Sequence, residues 1–315
     1  MNNLKKVGLT ALAGALVSVS ANAAELTVTG GASIGFSGEE KVDTGNGWSM
    51  NDGLTFAATQ ELDNGMTVTA KQIIDSSDGA AGVIMDTRIL TIDMGDNGTL
   101  TFSGTGGSSV LNAIDDVTPT AYEESWDVVT GASAIPGGTG GDNMFHYSNS
   151  SLMDGVKLSA SYTPSSGGTS SIESSADYGV EYTGIDGLTV GLAQGENNGA
   201  ANSLEITNMY AKYAMDAFTI GVQDNSTDAQ TASTDTDFRA VGVSYAVSDE
   251  LSVSYGISTV EHENTSKEDQ DASAVSFSYV SGGMTIGGSM HAVDNVGGAA
   301  ATDNEGYELN ITFAF

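Results

Sequence analysis

The strongest constraint on this chain is a turn that recurs along it between stretches of strict period-two alternation. Seven segments share one form, a turn-forming pair or triplet followed by apolar-x-apolar or a close variant. They are Asp63-Asn64-Gly65-Met66-Thr67-Val68, Asp96-Asn97-Gly98-Thr99-Leu100-Thr101, Met153-Asp154-Gly155-Val156-Lys157-Leu158, Ile185-Asp186-Gly187-Leu188-Thr189-Val190, Met215-Asp216-Ala217-Phe218-Thr219-Ile220, Ser248-Asp249-Glu250-Leu251-Ser252-Val253 and Ser281-Gly282-Gly283-Met284-Thr285-Ile286. Asp-Gly, Asn-Gly and Gly-Gly supply the positive φ that tight hairpins demand. The starts at 63, 96, 153, 185, 215, 248 and 281 are 30 to 33 residues apart, with one interval of 57. A period near 33 also suits helical repeat arrays, but those place apolar residues at i, i+3 and i+4.

The flanks here alternate instead. Leu188, Val190 and Leu192 interleave with Thr189, Gly191 and Ala193, and Tyr307, Leu309, Ile311, Phe313 and Phe315 oppose Glu308, Asn310 and Thr312. Such runs are strands with one apolar side. Reading outwards from each turn gives strands at 24–37, 47–62, 66–75, 84–95, 99–104, 143–150, 156–163, 175–183, 188–194, 203–214, 217–224, 235–247, 251–260, 272–281, 284–291 and 305–315, sixteen in all. An even number of antiparallel strands, with short turns on one side and longer polar loops on the other, predicts a 16-stranded transmembrane β-barrel. It must close, because lipid offers no partner for an unpaired strand edge. The face with Leu, Val, Ile, Phe, Tyr and Met suits lipid, and the face of Thr, Ser, Gly, Ala and a few charges suits a wet lumen. A soluble sandwich would invert this arrangement.

Composition narrows the function classes. Forty-one acids against nine bases, a formal charge of −32 on 315 residues, argue against nucleic acid, which needs clustered Lys and Arg. The absence of Cys removes disulfide scaffolds, thiolate metal sites and Cys nucleophiles. At the N-terminus Lys5 and Lys6 precede an apolar run from Val7 to Val19 and then Ala21-Asn22-Ala23, so residues 1–23 read as a signal peptide and 24–315 as the barrel domain. No other stretch approaches the roughly 18 apolar residues of a membrane helix.

Some of these residues carry a family likeness. Leu54 to Lys71, with its Glu61-Leu62-Asp63-Asn64-Gly65 turn, resembles the second hairpin of Gram-negative general porins, and Thr87-Arg88 followed by Met94-Gly95-Asp96-Asn97-Gly98-Thr99-Leu100-Thr101-Phe102 resembles the next. Ala24-Glu25-Leu26-Thr27-Val28-Thr29-Gly30 and the terminal Phe315 fit the ends of such chains, most of all those of Rhodobacter and related alphaproteobacteria. The resemblance implies a homotrimer of water-filled channels set in outer-membrane lipid and lipopolysaccharide, passing small hydrophilic solutes. It also implies that Phe315 is read by the barrel-assembly machinery, and that the third external loop folds into the barrel and narrows it. In this chain the extra 25 or so residues fall in that third loop, 105–142.

The loop carries Asp115, Asp116, Glu123, Glu124, Asp127 and Asp142 and no Lys or Arg. It is either a solvated acidic surface loop or a set of carboxylates projecting into the lumen, where the focused field of a low-dielectric wall favours cations. Diffusion requires no cofactor, but Asp115, Asp116, Glu123 and Glu124 are also candidate ligands for Ca²⁺, which wants six to eight oxygens. Opposing bases are few. Alternation turns Lys71 inwards with Thr67 and Thr69, whereas Arg88, which matches a constriction position of the family, shares parity with Leu90, Ile92 and Met94, so only a bulge would turn it in. Arg239 has the same conflict with Val241, Val243 and Tyr245.

Other motifs do not survive their context. Gly31-Ala32-Ser33-Ile34-Gly35 spells a nucleophile elbow inside a strand with no helix after it. His146, His262 and His291 form no zinc spacing. Two rival functions remain, an outer-membrane barrel hydrolase, in which His146 would matter, and a secreted acidic β-rich adhesin.

Overall fold

The computed structural model describes residues 24–42, 45–76, 83–133, 135–137, 140–165, 173–198, 203–231 and 234–315. The proposed signal peptide, 1–23, lies outside them. The strands run in chain order as β1 Glu25–Glu39, β2 Trp48–Glu61, β3 Thr67–Ser76, β4 Val83–Asp93, β5 Thr99–Thr105, β6 Gly107–Ser108, β7 Gly140–Gly141, β8 Met144–Met153, β9 Val156–Thr163, β10 Ser175–Ile185, β11 Leu188–Asn198, β12 Ser203–Met215, β13 Phe218–Ala229, β14 Thr236–Ala246, β15 Leu251–His262, β16 Gln270–Ser281, β17 Met284–Asp294 and β18 Asn304–Ala314. Sixteen of them, β1 to β5 and β8 to β18, form one closed antiparallel barrel, and β6 pairs only with β7. None of the described helices is long and apolar enough to cross a membrane.

The seven recurring turns are the hairpins of one rim. Gly65, Gly98, Gly155, Gly187, Asp216 and Gly282 hold positive φ there. The remaining turn does without it: Ser248 Oγ accepts the amides of Glu250 and Leu251 at 3.2 and 3.1 Å. Closure joins the chain ends, with β1 and β18 paired from Gly31↔Ala314 to Glu39↔Gly306. Gly30 and Phe315 exchange backbone hydrogen bonds at 2.7 and 2.9 Å just beyond.

Cross-strand register sorts the two faces. Leu192, Met209, Val222, Val241 and Tyr255 are exposed on one side, and Ala193, Asn208, Gln223, Ala240 and Ser254 are buried on the other. Of the aromatic residues, Tyr162, Tyr178, Tyr182, Tyr255, Tyr279, Tyr307 and Phe313 are exposed on the apolar face, as residues of a membrane-interface girdle are. Tyr147 is half-buried, its hydroxyl donating to the Asn97 carbonyl at 2.7 Å.

Two features differ from the sequence expectation. Several strands extend past their alternating apolar portion, β13 to Ala229 for instance, because a backbone ladder pairs irrespective of side-chain polarity. The second difference is that the polar face is not uniformly small and hydrophilic. Ile206, Phe238, Val260 and Val293 are all buried on it, in three clusters with Leu111, Trp126 and Val129 of the 105–142 segment. The molecule's packed core therefore lies between that segment and the wall.

Candidate functional site

The segment is clamped at its base. Glycines 107 and 141 approach too closely for any side chain on Gly141, and Asp142 Oδ1 accepts the Gly106 amide at 3.2 Å. Asp142 thus serves the base of the segment. From there the chain docks onto successive strands. The Val110 amide donates to Ser161 Oγ at 3.0 Å on β9, and Asn208 Nδ2 of β12 donates to the Leu111 carbonyl at 3.2 Å. Around the first acidic pair, the Val117 amide donates to Gln223 Oε1 at 2.9 Å, while Gln223 Nε2 and Asn225 Nδ2 of β13 both donate to the Asp115 carbonyl.

The path continues round the wall. The Ala121 amide donates to Ser254 Oγ of β15 at 2.9 Å and the Tyr122 amide to Ser276 Oγ of β16 at 3.2 Å. The Tyr122 hydroxyl reaches Glu308 on β18, and the Thr130 hydroxyl reaches Glu39 Oε1 on β1 at 2.6 Å. Apolar anchors punctuate these bonds. Trp126 packs edge-on against Phe238 with centroids 4.8 Å apart, a geometry that aromatic quadrupoles favour.

The wall makes room with glycine. Gly221, Gly242 and Gly256 lie side by side across β13, β14 and β15. A Cβ on Gly242 would meet the Pro119 carbonyl oxygen at 2.7 Å, and one on Gly287 would meet the Tyr122 ring. Tyr122, Trp126, Glu308 and this glycine row were not among the residues singled out from sequence. A run of glycines sharing one register was the available signal.

The expected acids are brought together unequally. Carboxylate oxygens of Glu123, Glu124 and Asp127 all lie within 4.8 Å of one another, the only such group of three or more among the described residues. Glu123 and Glu124 are half-buried and Asp127 is exposed, and Asp127 Oδ2 accepts the Glu124 amide at 2.8 Å. Asp115 and Asp116 stand outside this tight cluster, so two of the four candidate Ca²⁺ ligands, Glu123 and Glu124, belong to it together with Asp127. Burial raises Asp115 to about 7, with the Asp116 charge adding, and raises Asp116 to about 6, with Asp127 adding. Burial, then Asp127 and Glu308, raise Glu123 to about 7. Glu124 is pushed up furthest, again by burial first and then by Asp116. Asp115, Glu123 and Glu124 are half-buried and Asp116 is exposed, and like charges crowd all four.

The bases stand elsewhere. Lys71 shares the polar face with Thr69, whose hydroxyl bonds that of Thr59 at 3.0 Å. Arg88 is exposed, opposite Gln72 and in step with Leu90. Bulges flank it, between Thr87 and Met85 and between Thr105 and Ser103, but neither breaks its parity with Leu90. Arg88 therefore stands where alternation put it and not at the constriction position that the family resemblance implied: unbroken pairing of residues 88–93 with β3 keeps it on the apolar face. Lys157 pairs with Glu181 at 2.7 Å, and Lys212 lies 5.3 Å over the Tyr210 ring. Arg239, on the outward face as alternation required, bridges Asp224 and Glu261. His146 faces the polar side, its Nδ1 3.2 Å from the Ser108 carbonyl.

A closed barrel with an apolar outer wall and a hydrogen-bonded inner one defines the class, an integral β-barrel that forms a channel through a membrane. A family model described as Gram-negative porin matches residues 8–280, and the chain belongs to that family. It is an integral outer-membrane protein. Among solved structures, the anion-selective porin of Comamonas acidovorans is 13% identical, with a TM-score of 0.74 over 93% of this chain and 100% of that one. A mutant of Rhodopseudomonas blastica porin is 15% identical, with a TM-score of 0.71 over 92% and 100%. OmpT of Vibrio cholerae, an outer membrane protein, is 14% identical, with a TM-score of 0.69 over 94% and 99%. No curated protein matches the sequence directly.

Proposed function

We propose that this porin is a passive, non-catalytic channel for small hydrophilic solutes, narrowed by residues 105–142 and biased towards cations. One observation carries the reading. Five carboxylates, Asp115, Asp116, Glu123, Glu124 and Asp127, ride on a segment bonded to the polar face from β9 round to β1, and that segment has no Lys or Arg. Lys71 stands on β3, among the strands to which no described hydrogen bond of residues 110–130 leads, so a gap between segment and wall would have acids on one side and a single base on the other. The Comamonas porin is anion-selective on the same fold. Selectivity in such channels accordingly lies with the charges lining the bore.

The remaining expectations join this proposal. Asp52, Gln72 and Arg88 share the outward face of β2 to β4 with small Ala58 and Ala70, a surface poorly suited to lipid and better covered by further copies in a homotrimer. Residues 1–23 act as the signal peptide. Phe315 ends a face with Phe313 and serves as the mark for the barrel-assembly machinery, and lipid and lipopolysaccharide surround the assembly. Ca²⁺, though diffusion does not need it, has its best ligands in Glu123, Glu124 and Asp127.

Planar-bilayer recording tests the function. The wild type should show a cation/anion permeability ratio above unity, moving several-fold towards parity, in the sense expected for removal of about five negative charges, when the five acids become Asn or Gln. An unchanged ratio would remove the segment from the selectivity mechanism.

A further inference from the structure

Buried polar side chains in a folded protein find partners, and one that does not calls for an explanation. Two such side chains stand together on the inner face of β17. His291 is 3% exposed and Ser289 5%, and neither His291 Nε2 nor Ser289 Oγ has a hydrogen-bond partner among the described residues. Glu308 of β18 lies directly opposite Ser289. Its Oε1 accepts the Tyr122 hydroxyl, which leaves Oε2 for another group.

The 105–142 segment roofs this patch. His291 Nδ1 is 3.4 Å from the Ser125 carbonyl, and a Cβ on Gly306, the residue opposite His291, would meet Val128 Cγ1 at 3.1 Å. A carbonyl can only accept, so Nδ1 carries the ring proton and Nε2 presents a lone pair. The carboxylates whose charges act on the ring are Asp127 of the segment and Glu308 of the wall. Segment and wall thus bring together a buried nitrogen lone pair, a hydroxyl oxygen and two carboxylates, and the segment has no Lys or Arg to answer them.

We propose that His291 Nε2, Glu308 Oε2 and Asp127 hold a zinc-type divalent cation, with Ser289 Oγ beside it, and that the metal pins the segment to β17 and β18. The donor set selects the ion. Nitrogen with carboxylate oxygens suits Zn²⁺, whereas Ca²⁺ takes oxygen ligands and is better served by Glu123, Glu124 and Asp127. The bond from Nδ1 to Ser125 has the form usual for a metal-bound imidazole, whose second nitrogen donates to a carbonyl or carboxylate and fixes the ring. No sequence spacing announces the site, because its ligands come from three separate elements. It shares Asp127 with the acids assigned to selectivity, so bound metal also lowers the cation preference, but binding itself does not depend on that reading.

The test is calorimetric titration of the intact, chelator-stripped porin in detergent with Zn²⁺ and, separately, with Ca²⁺. The wild type should bind Zn²⁺ at least about tenfold more tightly than Ca²⁺, the factor corresponding to about 1.4 kcal/mol. His291→Gln should abolish that margin and leave Ca²⁺ binding unchanged, and Asp127→Asn, at an exposed position, should weaken Zn²⁺ binding as well. His146→Gln and His262→Gln, which remove the other two histidines, should leave the margin intact. Single-channel conductance without metal reports that each variant is folded. Added Zn²⁺ should lower the cation/anion permeability ratio of the wild type and not that of His291→Gln, while the ratio recorded without metal tests the selectivity reading separately. No preference for Zn²⁺ in the wild type, or a Zn²⁺ affinity unchanged by His291→Gln and Asp127→Asn in conducting protein, overturns the proposal.

Discussion

The Tyr122 hydroxyl donates to Glu308 Oε1 at 2.5 Å, tying the middle of the 105–142 segment to the last strand of the barrel. Burial, and then the bond to Glu308, push the phenol up from its ordinary value, so it stays a donor throughout the working range of the protein. The same strand joins β1 to close the barrel, so the segment is secured where the two chain ends meet.

Removal of that hydroxyl isolates its contribution. Tyr122→Phe keeps the ring over Gly287 but leaves the Glu308 carboxylate without its donor. A hydrogen bond to a charged acceptor is worth about 1.5–3 kcal/mol, which corresponds to a rise of about 10- to 150-fold in the undocked population. Single-channel traces should show more frequent excursions between conductance levels. Traces as quiet as those of the wild type would mean that the other contacts hold the segment unaided.

Trp126 is the aromatic anchor of the segment, nine-tenths buried against Phe238, Ala240 and Val260. Truncation of such a side chain costs about 3–5 kcal/mol. Because the loss falls on docking and not on the strand ladder, Trp126→Ala should admit larger neutral sugars in a liposome-swelling assay while the thermal transition of the β-sheet stays in place. A coincident fall of the sheet transition would show that segment and barrel unfold as one unit.

The barrel was legible because two local signals agree along the whole chain. Turn chemistry at residues such as Gly65 and Gly187 and alternation on the flanks specify both where hairpins reverse and which side faces lipid. Strand ends were less legible. Asn225 to Ala229 continue the β13 ladder beyond residue 224, after the apolar alternation has stopped, and only backbone pairing reports them. In the third loop the acids could be named but not arranged. Their grouping depends on where Asn208, Gln223, Ser254, Ser276 and Glu308 stop the chain, contacts between residues about 100 or more positions apart that leave no local pattern. The apolar docking points on the wall did leave a trace. Ile206 and Phe238 are bulky residues on the side otherwise given to Asn208, Ala240 and Gly242, a break in parity that marks a covered patch on a wet wall.

Selectivity should depend on pH over an unusually high range. Asp115 and Glu123 are raised to about 7 and Asp116 to about 6, in each case chiefly by burial, and Glu124 is raised further. A carboxyl group attracts cations only when ionised, so the cation/anion permeability ratio should climb from pH 5 to pH 9 instead of levelling off just above 4. The docking of the segment should move the other way. A group whose docked pKa exceeds its solvated one binds more protons docked than free, and stability therefore falls as pH rises between the two values. The segment is held most firmly below the solvated range near 4 and progressively less so up to the raised values. Reversal potentials under a salt gradient, recorded together with open-channel noise from pH 4 to 9, follow both consequences in one experiment. The expected outcome is selectivity and noise rising together. Selectivity that saturates by pH 5 would show that these carboxylates are solvated like ordinary surface acids, and noise that falls with pH would show that their repulsion does not oppose docking.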